Sequence, residues 1–217
     1  HGVKPWVVCK PANHPWQKVG VDLFEIKGKK YIVTVDYFSN FAELDEAGST
    51  DATMIVKLLK RQFARHGIPV QLVSDNGPPF NSHVFREFLR KWGIEHQPVS
   101  PRHPQANGKA ESAVKTLKST LKKAALAGED PYLALLERRN SPLEGVGLSP
   151  AQLLFCRQTR GTVPTLERNL KAAPAPPDLD QRREKRVERQ RRYYNRGARD
   201  LPPLRVGETV RIQPDEG

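Results

Sequence analysis

Residues 18–38 read KVGVDLFEIKGKKYIVTVDYF, and this stretch decides the class of fold. In its first half, the apolar residues Val19, Val21 and Leu23 share one face of an extended chain. Asp22 falls on the opposite face. A short KGKK turn then leads into a second apolar run, so the stretch predicts two paired antiparallel strands.

The segments that follow predict a mixed sheet with helices packed on its faces. FAELDEA at 41–47 reads as a third strand, which makes the first three strands a meander. The later elements are a helix capped at 49–51 and ending at 66–67, a strand at 70–75, a helix ending at Gly93, a strand at 94–100 and a helix within 100–123. This order predicts an α/β fold with a five-stranded mixed sheet flanked by helices.

The composition divides the chain into four segments. We predict an extended lead-in at 1–17, a core domain at 18–170, a proline-containing linker with a basic helix at 171–200, and a short C-terminal segment at 201–217. Within them we expect one or two helices at 131–170, with SPAQLLF as a capped start, a helix at 179–196 and a strand at 201–212.

The charge of the chain is strongly positive and unevenly distributed. The formal net charge is +12, and residues 181–199 alone hold nine Lys and Arg against two Glu. A basic arm of this kind suits a polyanion such as DNA or RNA, although a solvated helix without a partner has the same composition. No apolar run approaches the roughly 20 residues that span a bilayer, so no membrane partner is predicted. Two cysteines do not suggest a disulfide framework.

A glutamate in the third predicted helix lies among lysines. At 100° per residue, Glu111 shares one helical stripe with Lys115, Lys118 and Lys122, beside the apolar face. The simplest interpretation is a solvated stripe in which Glu111 and Lys115 form an ordinary i,i+4 ion pair. The alternative is that Glu111 is a ligand.

Two other carboxylates support the ligand hypothesis. Asp22 lies in the first strand and Asp75 ends the fourth, and these strands can be neighbours in a sheet of this order. Three converging carboxylates repel one another, and divalent cations remove that repulsion. Mg²⁺ prefers such oxygen ligands, and two ions can clamp an in-line displacement at phosphorus. Turn chemistry alone would also explain the SDNG sequence around Asp75, and Asp36 reads more simply as a structural carboxylate.

The acids and their surroundings resemble a known family. Thirty-five residues separate Asp75 from Glu111, as in the D,D-35-E signature of retroviral and LTR-retrotransposon integrases. The resemblance covers about 16–217 and points in particular to gypsy-type elements. Five sequence motifs in the family's order carry the resemblance: WQKVGVDLF, YIVTVDYFSNFAEL, HGIPVQLVSDNGPPF, SPRHPQANGKAE and GLSPAQLLF.

The resemblance implies an RNase H-like catalytic core at 18–170 and the start of a small β-barrel at 201–217. It also implies that Asp22, Asp75 and Glu111 hold two Mg²⁺ or Mn²⁺ ions as the catalytic triad. Such integrases trim the 3′ ends of element DNA with water and then join each freed 3′ hydroxyl to target DNA. Family members also carry a His-His-Cys-Cys zinc module, but Cys9 has no partner cysteine nearby, so no zinc site is predicted.

The resemblance further implies element-end and target DNA as partners, a homodimer or homotetramer, and a nuclear enzyme made within a cytoplasmic polyprotein. The predicted DNA contacts are Asn107, Lys115, Lys118, Lys122, Arg182, Arg186 and Arg189. Two other functions use the same sequence features. One is an RNase H-type nuclease, and the other is a domesticated, non-catalytic DNA-binding or scaffold module.

Overall fold

The computed structural model describes residues 12–99 and 108–194, without the side chains of 108–114 and of Tyr194. The strands are β1 (Lys18–Ile26), β2 (Lys29–Asp36), β3 (Ala42–Ala47), β4 (Gln71–Asp75) and β5 (Glu95–Val99). The helices are α1 (Ala52–His66), α2 (His83–Trp92), α3 (Gly108–Ala127), α4 (Pro131–Asn140), α5 (Pro150–Phe155), α6 (Glu167–Leu170) and α7 (Leu179–Tyr194).

The five strands form one mixed sheet in the order β3-β2-β1-β4-β5. β1 pairs antiparallel with β2 and parallel with β4, while β4 pairs parallel with β5. The antiparallel meander and the neighbouring first and fourth strands are therefore confirmed. Pro98 is tolerated in β5 because an edge strand can lack one main-chain donor.

The two long helices on one side of the sheet begin and end where their capping residues predict. Asp51 Oδ1 accepts a hydrogen bond from the Met54 N–H at 3.0 Å at the start of α1. The Ser82 hydroxyl accepts one from the Phe85 N–H at the start of α2. Gly93 ends α2 in the left-handed conformation, which glycine adopts without steric cost.

The larger core lies between those two helices and one face of the sheet. It combines Val19, Val21 and Ile32 of the sheet with residues such as Leu59 of α1 and Phe85 of α2. Fully burying one side chain of this size contributes about 1.5–3 kcal/mol. The alternation predicted for β1 is therefore confirmed, because its valines pack into this core and leave Asp22 on the other face.

The other face of the sheet is covered by α3 and α4. Leu117 and Leu121 of α3 and Leu135 of α4 pack against β2 and β3 residues that include Val33 and Leu44. Phe24 and Ile26 of β1 pack against the same cluster. Since side chains alternate along a strand, Asp22 lies on this α3-covered face, two residues before Phe24.

A buried ionic cluster joins α1 and α4 to strand β3. Glu43 of β3 is almost fully buried and accepts hydrogen bonds from His66 at 2.5 Å and Arg139 at 3.1 Å. Arg65 lies 3.3 Å from the same carboxylate. Arg139 also covers the Phe41 ring, with its guanidinium carbon 4.4 Å from the ring centroid. These contacts hold α4, and hence the chain that follows α3, against the sheet.

The region after α3 differs from the prediction in one respect. Residues 131–170 contain three helices instead of one or two, because α6 is a single turn of four residues and too short to show a helical period. α5 begins at a capping box formed by Ser149 and Gln152, as its sequence predicts. α7 confirms the predicted basic helix as far as Tyr194, while the strand predicted at 201–212 lies outside the described residues. Within the described part of the chain, no helix is both long and apolar enough to span a bilayer.

Candidate active site

Two of the three predicted acids lie side by side on adjacent parallel strands: Asp22 is in the middle of β1, and Asp75 is the last residue of β4. The last pair in the β1–β4 ladder is Gly20 with Val73. Asp22 and Asp75 each lie two residues beyond that pair, so the register places them opposite each other. Neighbouring strands lie about 4.8 Å apart, and residues paired in register point to the same face. The sheet thus brings these two acids side by side on the face that α3 covers.

The Asp22 carboxylate is partly exposed and already has partners. Its side chain is 39% exposed, and Oδ2 accepts a hydrogen bond from Lys118 Nζ at 2.5 Å. Oδ1 accepts a second bond from the Leu23 N–H at 2.8 Å. The same Lys118 ammonium lies 5.5 Å from the centroid of the Phe24 ring. Lys118 is therefore fixed beside the acid from two sides.

Asp75 is exposed and carries the turn that its sequence predicts. Its Oδ1 accepts a hydrogen bond from the Gly77 N–H at 3.3 Å, the geometry of an Asx turn. The turn interpretation of SDNG is thus correct as local structure. It is compatible with the ligand hypothesis, because from the described residues Oδ1 accepts this single bond, and its further lone pairs, like those of Oδ2, stay available.

Glu111 lies in the first turn of α3, but its side chain is outside the residues described in atomic detail. It precedes Lys118 by two helical turns, about 10 Å along the axis. Among the side chains that are described, and these exclude Glu111, no three His, Cys, Asp or Glu residues lie close enough together to hold a metal ion. Asn107 also lies outside the described residues.

The donor set that the structure does place fits a hard divalent cation. Two carboxylates lie side by side on neighbouring parallel strands, both reach solvent, and both lie on the sheet face that α3 covers. Carboxylate oxygens with room for water are the ligands that Mg²⁺ prefers. Asp22 and Asp75 would hold such an ion, with Glu111 as the third ligand predicted by the sequence.

A basic groove runs from Asp22 along α3. Its volume is about 440 Å³, and four lysines line it together with an exposed leucine: Asp22, Lys115, Lys118, Ser119, Lys122, Lys123 and Leu126. The three lysines predicted from the helical stripe all line this groove. Lys123 was missed, since it lies 100° around the helix from Lys122 and falls off the stripe. The adjacent pair Lys122-Lys123 was the only sequence signal for it.

Two arginines of α7 predicted to contact DNA pack against the protein body. Arg182 donates to Asp178 at 2.7 Å and to the Val146 carbonyl at 3.3 Å. Arg186 is partly buried, and that burial lowers its pKa. Arg189 is more exposed and lies 3.5 Å from Glu144. Of these three arginines, Arg189 is therefore the one whose side chain is most accessible to solvent.

Arg183 anchors the same helix, and the sequence did not single it out. Its guanidinium carbon lies 3.7 Å from the centroid of the Phe38 ring, and it donates to the Ala12 carbonyl at 3.0 Å. The side chain is 13% exposed. Leu179 packs nearby against Val146. Together these contacts dock the basic helix onto the core domain.

Asp36 is structural, as the sequence favours. It is fully buried and accepts hydrogen bonds from the main-chain N–H groups of Trp16, Phe38 and Ser39 and from the Ser39 hydroxyl. Burial raises the pKa of this carboxyl above its ordinary value, although the hydrogen bonds work in the opposite direction. Since its acceptor sites are used by this turn, Asp36 is not available as a ligand.

The fold and the two acids on adjacent strands define a class: domains with the RNase H-like architecture of integrase catalytic cores. Residues 12–104 match the family model described as Integrase core domain. Residues 12–104 therefore belong to the integrase core family, and the viral relatives that match are parts of longer polyproteins.

Curated relatives match well beyond that segment. The chain is 32% identical over 172 residues to the uncharacterized protein K02A2.6 of Caenorhabditis elegans, covering 76% of this chain and 13% of the relative. It is 35% identical to the Pol polyprotein of feline endogenous virus ECE1 over 66% of this chain and 15% of the polyprotein. It is 38% identical to the Gag-Pol polyprotein of gibbon ape leukemia virus, over 62% of this chain and 9% of the polyprotein. The chain thus spans a small part of each relative.

Solved structures show the same fold. The catalytic core domain of BIV integrase superposes with a TM-score of 0.56 at 22% identity, covering 64% of this chain and 94% of that chain. A chain of the simian T-cell lymphotropic virus intasome in complex with the PP2A regulatory subunit B56 gamma gives a TM-score of 0.62 at 20% identity, covering 82% of this chain and 64% of that chain. The HTLV-2 integrase catalytic core domain in complex with magnesium gives a TM-score of 0.51 at 20% identity, covering 65% of this chain and 96% of that chain.

Proposed function

We propose that this chain is the catalytic core of an integrase of a gypsy-type retroelement. In this proposal it trims the 3′ ends of element DNA and joins them to target DNA. Asp22, Asp75 and Glu111 are the catalytic residues and the metal ligands. Residues 171–200 form a linker, and 201–217 form the start of a small C-terminal barrel.

One observation carries the proposal: the β1–β4 register sets Asp22 opposite Asp75, on the sheet face covered by the helix that bears Glu111. Two carboxylates held side by side on adjacent strands repel each other when both are ionised. The arrangement makes chemical sense when a cation compensates the charge.

The chain's own groups would bind and orient the nucleic acid. Lys115, Lys122 and Lys123 line the groove beside Asp22 and can pair with successive phosphates. Lys118 is held next to Asp22 and can place a phosphate close to that acid. Two Mg²⁺ or Mn²⁺ ions, when bound by the three acids, would supply the charge stabilisation that phosphoryl transfer requires.

The proposed partners follow from this chemistry. Element-end DNA would occupy the α3 groove, and Asn107 and Arg189 are further candidates for contacts to DNA. Two element ends must be joined together, so we propose a homodimer or homotetramer; the HTLV-2 core is described in a dimeric form. The reaction would take place in the nucleus after synthesis within a polyprotein, as in the viral relatives.

A non-catalytic DNA-binding module is the second candidate, and one observation favours it. Lys118 already compensates the charge of Asp22 through a direct 2.5 Å hydrogen bond. A carboxylate with a purely structural role would form the same contact. An RNase H-type nuclease is less consistent with the four lysines along α3, since they extend the basic surface well beyond one phosphate.

A strand-transfer assay with an element-end duplex tests the function directly. The 217-residue chain is compared with Glu111→Gln, with and without Mg²⁺. Glu129→Gln, an exposed glutamate just after α3, is the matched control. We expect Mg²⁺-dependent joining by the parent and the control and none by Glu111→Gln. Cleavage of an RNA–DNA hybrid without DNA joining would assign the nuclease function instead.

Metal titration by calorimetry separates the enzyme from the non-catalytic module. Asp75→Asn should lose most of the Mg²⁺ uptake because a neutral amide is a poor replacement for a carboxylate ligand. Asp51→Asn is the control, since asparagine caps a helix as well as aspartate does. Equal uptake by the parent and Asp75→Asn would support the module and contradict the catalytic site.

A further inference from the structure

We propose that Ser74 and His96 form a positioning pair that holds Asp75 from the opposite face of the sheet. This inference rests on the proposed function, because it assigns Asp75 as a ligand. The two residues come from different strands, β4 and β5, and 22 positions separate them. Nothing in their sequence surroundings links them.

The pair forms a directed chain of hydrogen bonds that ends on the main chain of Asp75. The Ser74 hydroxyl oxygen lies 2.8 Å from the Asp75 carbonyl oxygen and 2.9 Å from His96 Nε2. A carbonyl oxygen only accepts, so the single hydroxyl proton of Ser74 must point to Asp75. His96 Nε2 must then donate to the Ser74 oxygen, which fixes the ring as the Nε2–H tautomer.

The surroundings keep this chain in place. Ser74 is 2% exposed, and the His96 ring packs edge-on against the buried Phe85 ring with centroids 5.5 Å apart. Burial lowers the pKa of His96, which favours the neutral ring that this arrangement needs. A buried hydroxyl with both of its bonds made is a rigid element, since losing either partner carries a desolvation penalty.

Asp75 needs such support because it is the last residue of β4. Fixing its carbonyl sets the direction in which the chain leaves the strand. That direction places the Gly77 N–H, which donates to Asp75 Oδ1 at 3.3 Å. The Ser74–His96 pair on one face of the sheet thus orients the Asp75 carboxylate on the other face through the main chain. The pair does not contact the carboxylate itself.

The test measures Mn²⁺ affinity by electron paramagnetic resonance, at a temperature where circular dichroism shows every variant to be folded. Ser74→Ala should weaken Mn²⁺ binding about 10-fold, as is typical when a group that orients a ligand is removed. Ser74→Thr keeps the hydroxyl and should restore it. Ser141→Ala removes a comparable hydroxyl that donates to the Glu137 carbonyl at 2.9 Å, and should leave the affinity unchanged.

Two further measurements separate this inference from the proposed function. Nitrogen-15 NMR of the parent should show His96 as the Nε2–H tautomer, and an Nδ1–H ring would overturn the positioning pair. Asp75→Asn is titrated in parallel. Loss of Mn²⁺ binding in Asp75→Asn together with parent-like binding in Ser74→Ala would overturn only the pair. Parent-like binding in Asp75→Asn would overturn the proposed function itself.

Discussion

Lys118 and Asp22 lie 96 residues apart in the sequence, yet the lysine ammonium donates to the aspartate carboxylate at 2.5 Å. The contact joins α3 to the centre of the sheet beside Asp22 and Asp75, two of the three predicted metal ligands. It also sets a cation at the near end of the α3 groove, where a phosphate next to the acids would lie.

Replacing Lys118 with alanine should weaken binding to DNA of any sequence. A lysine that contacts one phosphate contributes about one to the slope of log affinity against log salt, so that slope should fall by about one. Fluorescence anisotropy with a labelled duplex at several salt concentrations measures it. Lys171→Ala, a lysine in an exposed i,i+4 pair with Glu167, is the control. An unchanged slope in Lys118→Ala would remove Lys118 from the DNA interface.

Lys123→Ala should reduce the same salt slope by a similar amount, because the groove lined by Lys118 and Lys122 continues to Lys123. The control is Lys57→Ala, an exposed lysine on α1, across the sheet from α3. If Lys123→Ala and Lys57→Ala bound the duplex with the same salt slope, DNA would not follow the groove as far as the end of α3.

Arg183→Ala should loosen α7 without unfolding the core. The stacking of this buried guanidinium on Phe38 contributes about 1 kcal/mol, which corresponds to roughly fivefold faster exchange of α7 amide hydrogens. Hydrogen exchange followed by mass spectrometry reads this out over residues 179–194. Arg192→Ala removes an exposed arginine paired with Glu188 on the same helix and should leave the rates unchanged. Equal rates in all three proteins would mean that α7 is not docked.

Glu43→Gln should destabilise the fold at neutral pH by about 3 kcal/mol, since it leaves the buried charge of Arg139 without its counter-ion. Burial acts to raise the pKa of Glu43, but His66, Arg139 and Arg65 outweigh it and hold that pKa below its ordinary value of 4.5. The stabilisation is therefore present above pH 4.5 and is lost as the pH falls through the lowered pKa.

Urea unfolding of the parent and Glu43→Gln at pH 7 and at pH 3.5 measures both effects. We expect the difference in unfolding free energy to shrink at the lower pH, because below 4.5 the unfolded parent takes up a proton at Glu43 and the stabilisation starts to be lost. Glu46→Gln, which breaks an exposed pair with Lys29, should cost less than about 1 kcal/mol at either pH. A difference that stayed constant with pH would show that the charge of Glu43 does not stabilise the fold.

The local sequence pattern predicted the five strands, several helix ends and the positions of Asp22 and the α3 lysines. Alternation along β1 placed Asp22 opposite the valines, and Asp51 and Ser149 marked the starts of α1 and α5. These features are local: a side chain's face and a cap depend on residues within one turn or one strand. The helical period likewise placed Lys115, Lys118 and Lys122 along one groove.

Features that depend on the direction in which elements pack could not be predicted from the local sequence. α7 is polar on all sides, so no apolar stripe showed that Arg182 and Arg183 would face the core. The bond between Ser74 and His96 and the ion pair between Lys118 and Asp22 join distant positions. Such contacts are created by the register and packing of the sheet. The sequence around one partner therefore gives no indication of the other.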